Sequence, residues 1–183
     1  MNISLTHNMY FIAIMCPPGI DQLVLPFKYW MNEHFGCVVA LRSPAHITII
    51  QPFWLELNRE RKLQETLQAF AGDINELEIQ LDGFSTFGKS VMFIRVQENP
   101  DLEEIKKMAE QHFERSFGDL IGKDDRLFHP HVTIASRDLK PGDFEKAWLH
   151  FSNKNFKTIF STRIISLLKL TERNWKVIDE KRW

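Results

Sequence analysis

The sequence predicts an α+β fold built on antiparallel or mixed sheets rather than a doubly wound parallel sheet. Segments patterned as strands and as helices alternate along the chain, the strands are short, and their connections are often tight. With 183 residues, 44% of them hydrophobic, the chain is long enough to bury a core without help from a disulfide or a metal.

Residues 1–8 are expected as a flexible lead. Met9–Met15 is rich in strand formers and stops at Pro17-Pro18-Gly19, which predicts a buried strand. Residues 21–35 read as a helix with Trp30, Met31, His34 and Phe35 near one face, although Pro26 is unfavourable inside it. Val38–Leu41 reads as a short strand. Ala45–Ile50 reads as a strand ended by Pro52. Asn58 is placed to cap a helix reaching about Ala71, with Leu63, Leu67 and Phe70 at helical spacing. Glu76–Leu81 alternates as a strand, Gly83 to Gly88 reads as a loop, and Val91–Val96 reads as another strand. Asn99-Pro100-Asp101 is a strong helix start, and Leu102, Ile105, Met108, Ala109, Phe113 and Phe117 form one stripe up to Gly118. A short strand lies within Leu127–Ala135. Phe144, Ala147, Trp148 and Phe151 mark a helix, and two strands, about 160–170 and 174–179, close the chain.

A net charge of −1 argues against a surface that is wholly an electrostatic trap for nucleic acid, while leaving room for a local basic patch. Cys16 and Cys37 read as reduced core residues. The apolar run Met9–Cys16 is too short to span a bilayer and has no basic lead-in, so a cytoplasmic protein without a membrane partner is expected.

One short pattern occurs twice: His46-Ile47-Thr48-Ile49 and His131-Val132-Thr133-Ile134. With seven histidines and 44% hydrophobic residues, two such starts arise by chance about once in a hundred sequences. Strand alternation puts His46 beside Thr48 on one face and Ile47 beside Ile49 on the other; His131 and Thr133 stand likewise against Val132 and Ile134. If the two strands face each other, two imidazoles and two hydroxyls converge. That set suits in-line displacement at a phosphodiester. One imidazole acts as base, the other as acid, and the hydroxyls donate to non-bridging oxygens. Neither a metal nor another cofactor is needed. Two other readings stand beside this one: a metal-dependent hydrolase using His129 and His131 with Asp124 or Asp125, and a non-catalytic RNA- or nucleotide-binding module.

With these motifs the chain resembles the two-histidine (2H) phosphoesterase superfamily, which includes bacterial 2′-5′ RNA ligase and cyclic phosphodiesterase proteins. The likeness extends to PAHITIIQPF (44–53), GFSTFGKSVMFIRV (83–96), FHPHVTIAS (128–136) and the closing strands with Leu170 and Trp175. It covers most of residues 9–180. The resemblance implies one bilobal domain over 1–183: two small antiparallel sheets with outer helices, related by a pseudo-two-fold axis around a central cleft. It also implies activity on 2′,3′-cyclic phosphate or 2′-5′ phosphodiester ends of RNA or nucleotides, with reverse ligase activity. His46 and His131 would be catalytic, and Thr48 and Thr133 would bind phosphate. The expected partner is an RNA end or a cyclic nucleotide, and the expected state a monomer. Many members carry an arginine two residues beyond the second threonine or close to it. Here Arg137 follows Ser136, a departure, and a slip of one residue on a strand reverses the face. Phe53, Phe87 and Phe128 are candidates for stacking a base, against ordinary core packing; Arg42 and Lys89 are candidates for neutralising phosphate.

Overall fold

The computed structural model describes residues 6–121 and 127–183. The described elements run β1 (His7–Met15), α1 (Pro18–Phe35), β2 (His46–Glu56), α2 (Glu60–Gln68), β3 (Leu77–Phe87), β4 (Val91–Val96), α3 (Pro100–Phe117), β5 (His131–Ser136), α4 (Phe144–Phe151), β6 (Lys157–Thr162), β7 (Ile164–Thr171) and β8 (Asn174–Arg182). The strands form two four-stranded sheets, β2-β1-β7-β8 and β5-β4-β3-β6. Every pairing is antiparallel. Both motif strands, β2 and β5, are edge strands, and they lie against each other. Each reaches its place by the same path: strand, helix, then a return strand beside the first. The expected bilobal α+β architecture is therefore the observed one.

Alternation organises the sheets. Tyr10, Ile12 and Ile14 of β1 join Ile47, Ile49, Val132 and Ile134 in the main core, together with the inward stripes of the helices. Burying each such side chain contributes roughly 1.5–3 kcal/mol. Phe11, Ala13 and Leu168 occupy the other face, with Met15 and Trp175 packed against them. The helix α3 begins as expected: the Asn99 side chain accepts the Leu102 N–H at 3.0 Å and Pro100 follows at the first position. Both cysteines are buried and unpaired.

Several elements depart from the sequence reading. His7 and Asn8 belong to β1, paired with Glu56 and Leu55; residues 1–5 lie outside the described part. Helix α1 begins at Pro18 and continues through Pro26. Val39–Arg42 is a 3₁₀ turn rather than a strand, because the Asp138 carboxylate accepts the N–H groups of Val38 (2.6 Å) and Val39 (2.8 Å) that a ladder would use. Strand β2 continues through Pro52. Gln51 and Pro52 together stand opposite Phe11 in a bulge, and on an edge strand the missing proline N–H costs no ladder bond. Asn58 sits in a 3₁₀ turn, so α2 starts later, after Arg59, and ends at Gln68. The expected loop from Gly83 is strand: Gly83 adopts φ 68 in a bulge of β3, and the turn comes at Gly88, φ 55. The single strand expected over 160–170 is two strands in different sheets. Phe160 joins the main core from an even position while Ile165 and Leu167 join it from odd ones, so the core-facing side changes parity where the chain crosses at Arg163. Strand β8 runs on to Arg182.

Candidate active site

A cleft of about 190 Å³ lies between the edge strands, and His46, Thr48, His131 and Thr133 all line it. Register explains the convergence. In antiparallel pairs, directly opposed residues share a face. His46 faces Met15 and Thr48 faces Ala13 across β1, whereas His131 faces Arg95 and Thr133 faces Phe93 across β4. The β-branched residues between them, Ile47 and Val132, are buried on the opposite face.

The two imidazoles are half-buried and held by the same local device. His46 Nδ1 lies 2.8 Å from the Pro44 carbonyl, and His131 Nδ1 lies 2.6 Å from the His129 carbonyl. A carbonyl only accepts, so in each neutral ring Nδ1–H donates and Nε2 carries the lone pair. Burial pushes the His46 imidazole down from 6.5 to about 4, opposed by the Pro44 hydrogen bond and reinforced by the charges of Lys28 and His131. Burial also lowers His131, against its bond to the His129 carbonyl, with the His129 charge adding to the depression. Among the described residues, neither threonine hydroxyl has a protein hydrogen-bond partner, so both remain able to donate to a ligand.

The segment before His46 is held from beneath by α1. Lys28 is only 2% exposed, and its ammonium donates to the Ser43 carbonyl at 2.9 Å; burial lowers its proton affinity, with the Asp21 charge opposing. Asp21 accepts the Ala45 N–H at 2.6 Å. The Ala45 carbonyl in turn accepts the Cys16 N–H at 2.9 Å. The Pro44 carbonyl that orients His46 is thus fixed between two anchored neighbours.

Arg137 also lines the cleft. Strand β5 ends at Ser136, Arg137 turns into the left-handed region at φ 60, and Asp138 donates its N–H back to the Ser136 carbonyl at 2.6 Å. Strand alternation therefore does not decide where Arg137 points. The same turn positions Asp138 to hold the Val38–Val39 wall of the cleft.

The remaining sequence candidates separate. Phe87 stands against His131, ring centroids 4.9 Å apart. Phe53 is corrected to a core residue, 5% exposed and packed towards Tyr10, because its position in β2 falls on the helix-facing side. Phe128 packs against the core under the Lys106 ammonium and does not line the cleft. Lys89 sits in the β3–β4 turn and pairs with Glu145 at 2.7 Å, away from the cleft. Arg42 ends the 3₁₀ turn without lining the cleft. Asp124 and Asp125, suggested as metal ligands beside His129, lie outside the described residues; among the described residues no group of three His, Cys, Asp or Glu side chains is arranged to hold a metal. No helix among the described residues is long and apolar enough to cross a membrane.

Phe11, Gln51 and Trp175 are lining residues that the sequence reading missed. The Phe11 ring is 4.9 Å from that of His46 and 4.6 Å from that of Trp175. Period-two alternation with Tyr10 and Ile12 could have placed Phe11 on the cleft face. Trp175 carries no local signal, since its position follows from the distant pairing of β7 with β8.

Two edge strands, each starting on a histidine and meeting across one cleft, define a two-histidine phosphoesterase architecture. The family model described as "2′-5′ RNA ligase superfamily" matches residues 18–174, and the chain belongs to that superfamily, whose members are phosphoesterases. A Geobacillus kaustophilus protein described as a "Putative phosphoesterase" is 24% identical over 174 residues, 93% of each chain. Among solved structures, a Thermus thermophilus protein superposes with TM-score 0.64 at 15% identity, covering 94% of this chain and 96% of the other. Escherichia coli LigT complexed with 3′-AMP superposes with TM-score 0.63 at 17% identity, covering 95% and 97%.

Proposed function

We propose that the protein is a metal-independent phosphoesterase acting on 2′,3′-cyclic phosphate or 2′-5′ phosphodiester ends of RNA or nucleotides by two-histidine acid–base catalysis. The observation that carries this reading is the cleft itself. Two imidazoles, each with Nδ1 committed to a carbonyl, and two unengaged threonine hydroxyls line the same 190 Å³.

His46 suits the base. Its pKa near 4 keeps Nε2 unprotonated at neutral pH. It removes a proton from water as the oxygen attacks phosphorus, and His131 Nε2–H protonates the ribose oxygen as its bond to phosphorus breaks. Thr48 and Thr133 donate to the non-bridging oxygens, and Arg137 offsets the charge that builds on them. The bound phosphate anion raises the proton affinity of His131, favouring the acid form in the complex. With a strand's hydroxyl in place of water, and the two histidines in the same roles, the same displacement joins a 2′,3′-cyclic end to that hydroxyl: His46 takes the hydroxyl proton and His131 protonates the leaving ribose oxygen. The near-neutral net charge of −1 fits a nucleotide or an RNA end better than a long duplex.

The test is hydrolysis of a 2′,3′-cyclic nucleotide by the purified protein in EDTA, followed by product mapping. Turnover is expected with chelator present and is expected to be lost in both His46→Ala and His131→Ala. Undiminished activity in either variant would overturn the assignment. Loss with chelator and recovery with zinc would instead favour the metal-dependent reading.

A further inference from the structure

The catalytic cleft is too small for a nucleotide. Its 190 Å³ falls below the roughly 300–1,000 Å³ of sites that bury a small molecule, so the nucleoside attached to the reacting phosphate must lie elsewhere. Two recesses flank the motif strands. One, of about 380 Å³, opens at the end of β1 beside Met15 and is lined by Arg163, Arg182, Glu76 and Glu180. The other, of about 430 Å³, opens at the end of β4 beside Arg95 and shares no lining residue with the cleft. They occupy matching places in the two halves, since Met15 and Arg95 are the residues opposed to His46 and His131.

Their chemistry differs. No aromatic ring lines the first recess among the described residues, and its two arginines share it with two carboxylates. The second is lined by Phe87, Phe93 and His129. Phe87 and Phe93 place their ring centroids 4.9 and 5.0 Å from that of His131, so the recess adjoins the catalytic imidazole. The exposed His129 ring meets Phe87 at 5.9 Å, leaving ring surface for a base to stack on. Gln97 and Glu98 at the rim supply a donor and acceptors for a base edge. Arg95 is held in place by its own strand pair: Nε donates to the Asp82 carbonyl at 2.9 Å. A Cβ on Gly83 would come within 2.8 Å of its guanidinium, so the glycine at φ 68 makes room for that approach. No carboxylate among the described residues pairs with Arg95, and its remaining N–H groups stay available.

We propose that this recess is the nucleoside site, taking the base of the reacting nucleotide against Phe87 and His129 and its 5′-phosphate on Arg95. The inference rests on the catalytic reading above and adds direction to it: the ribose lies on the side of His131, as the acid for a ribose leaving group requires. It also names the substrate class, a 5′-phosphorylated nucleotide or the terminal residue of a strand, whose 5′ side always carries a phosphate.

The experiment compares one nucleoside 2′,3′-cyclic phosphate with and without a 5′-phosphate, on the full chain. A charge-assisted contact predicts a KM about tenfold lower for the 5′-phosphorylated compound. Arg95→Ala should erase that preference, so that the two compounds show equal KM values in the variant. Arg182→Ala, in the other recess, should leave the preference intact. Equal KM values for the two compounds in the wild-type protein would overturn the proposal without touching the catalytic reading. So would a preference that survives Arg95→Ala, or one that disappears in Arg182→Ala. Turnover of neither compound would remove the catalytic reading and this site with it.

Discussion

The halves β1-α1-β2 and β4-α3-β5 solve the same local problem in the same way and then diverge in their surroundings. In each, a histidine opens an edge strand, donates Nδ1–H to the carbonyl two residues earlier, and stands one residue from a buried β-branched side chain. Around His46 the support is rigid and buried: Lys28 and Asp21 anchor the preceding segment, and Met15 is the strand neighbour. Around His131 the strand neighbour is Arg95, and two phenylalanine rings flank the imidazole. Near-identical tetrapeptides therefore yield matching geometry, while the residues packed behind them give the two imidazoles different surroundings.

The largest expected effect tests whether the halves are a catalytic pair. His46→Ala and His131→Ala should each lower kcat/KM by about 10²- to 10⁴-fold, with the double variant scarcely worse than either single one. Steady-state kinetics of the three variants checks this, and strict additivity would mean that the halves act separately.

Next in size is the effect of pH on stability. The folded protein keeps His46 neutral down to about pH 4, whereas an unperturbed imidazole takes up its proton near 6.5. Between those values the unfolded chain binds more protons. Stability therefore rises with pH across this window and falls as pH drops from 6.5 towards 4, by roughly 3 kcal/mol from this group. Denaturant midpoints at a series of pH values should show the loss, and His46→Gln should flatten it. His131, also depressed, adds in the same direction.

Removing one of the two hydroxyls probes the symmetry of phosphate binding. Thr48→Val and Thr133→Val should each reduce kcat by about tenfold or more, as expected for a hydrogen bond to a developing charge. A large difference between them would show that the phosphate leans on one half. Asp138→Ala withdraws the acceptor of the Val38 and Val39 N–H groups and should destabilise the fold by about 1–2 kcal/mol, measured by thermal unfolding. The smallest effect sharpens the difference between the supports. Lys28→Met removes a buried cation that lowers His46, so the acidic limb of the kcat/KM profile should move to higher pH by up to about one unit.

Legibility in the sequence followed the range of the interactions. Helix α3 could be read from Asn99, Pro100 and a single stripe, because its cap and its burial pattern are local. The motif strands could be read because side-chain alternation depends only on the strand itself. Val38–Leu41 was misread because its conformation is set by Asp138, about a hundred residues away. The break at Arg163 is not legible because both faces of β7 are buried, and only the folded structure shows which positions meet the main core. The core packing of Phe53 and the cleft position of Phe11 were left open by the sequence for one reason: proximity to a motif in sequence does not say on which side of a sheet a ring lies.

The amino-acid order alone determined that two imidazoles would each stand beside a hydroxyl, since strand geometry dictates faces at a spacing of two. Only the tertiary structure decided that these faces meet across one cleft, because the pairing of β2 with β1 and of β5 with β4 joins segments far apart in the chain. It also decided where Arg137 points, through a single left-handed residue beyond the end of β5, and which recess carries aromatic rings beside Arg95. Those outcomes depend on register and packing between distant strands, which no short stretch of sequence encodes.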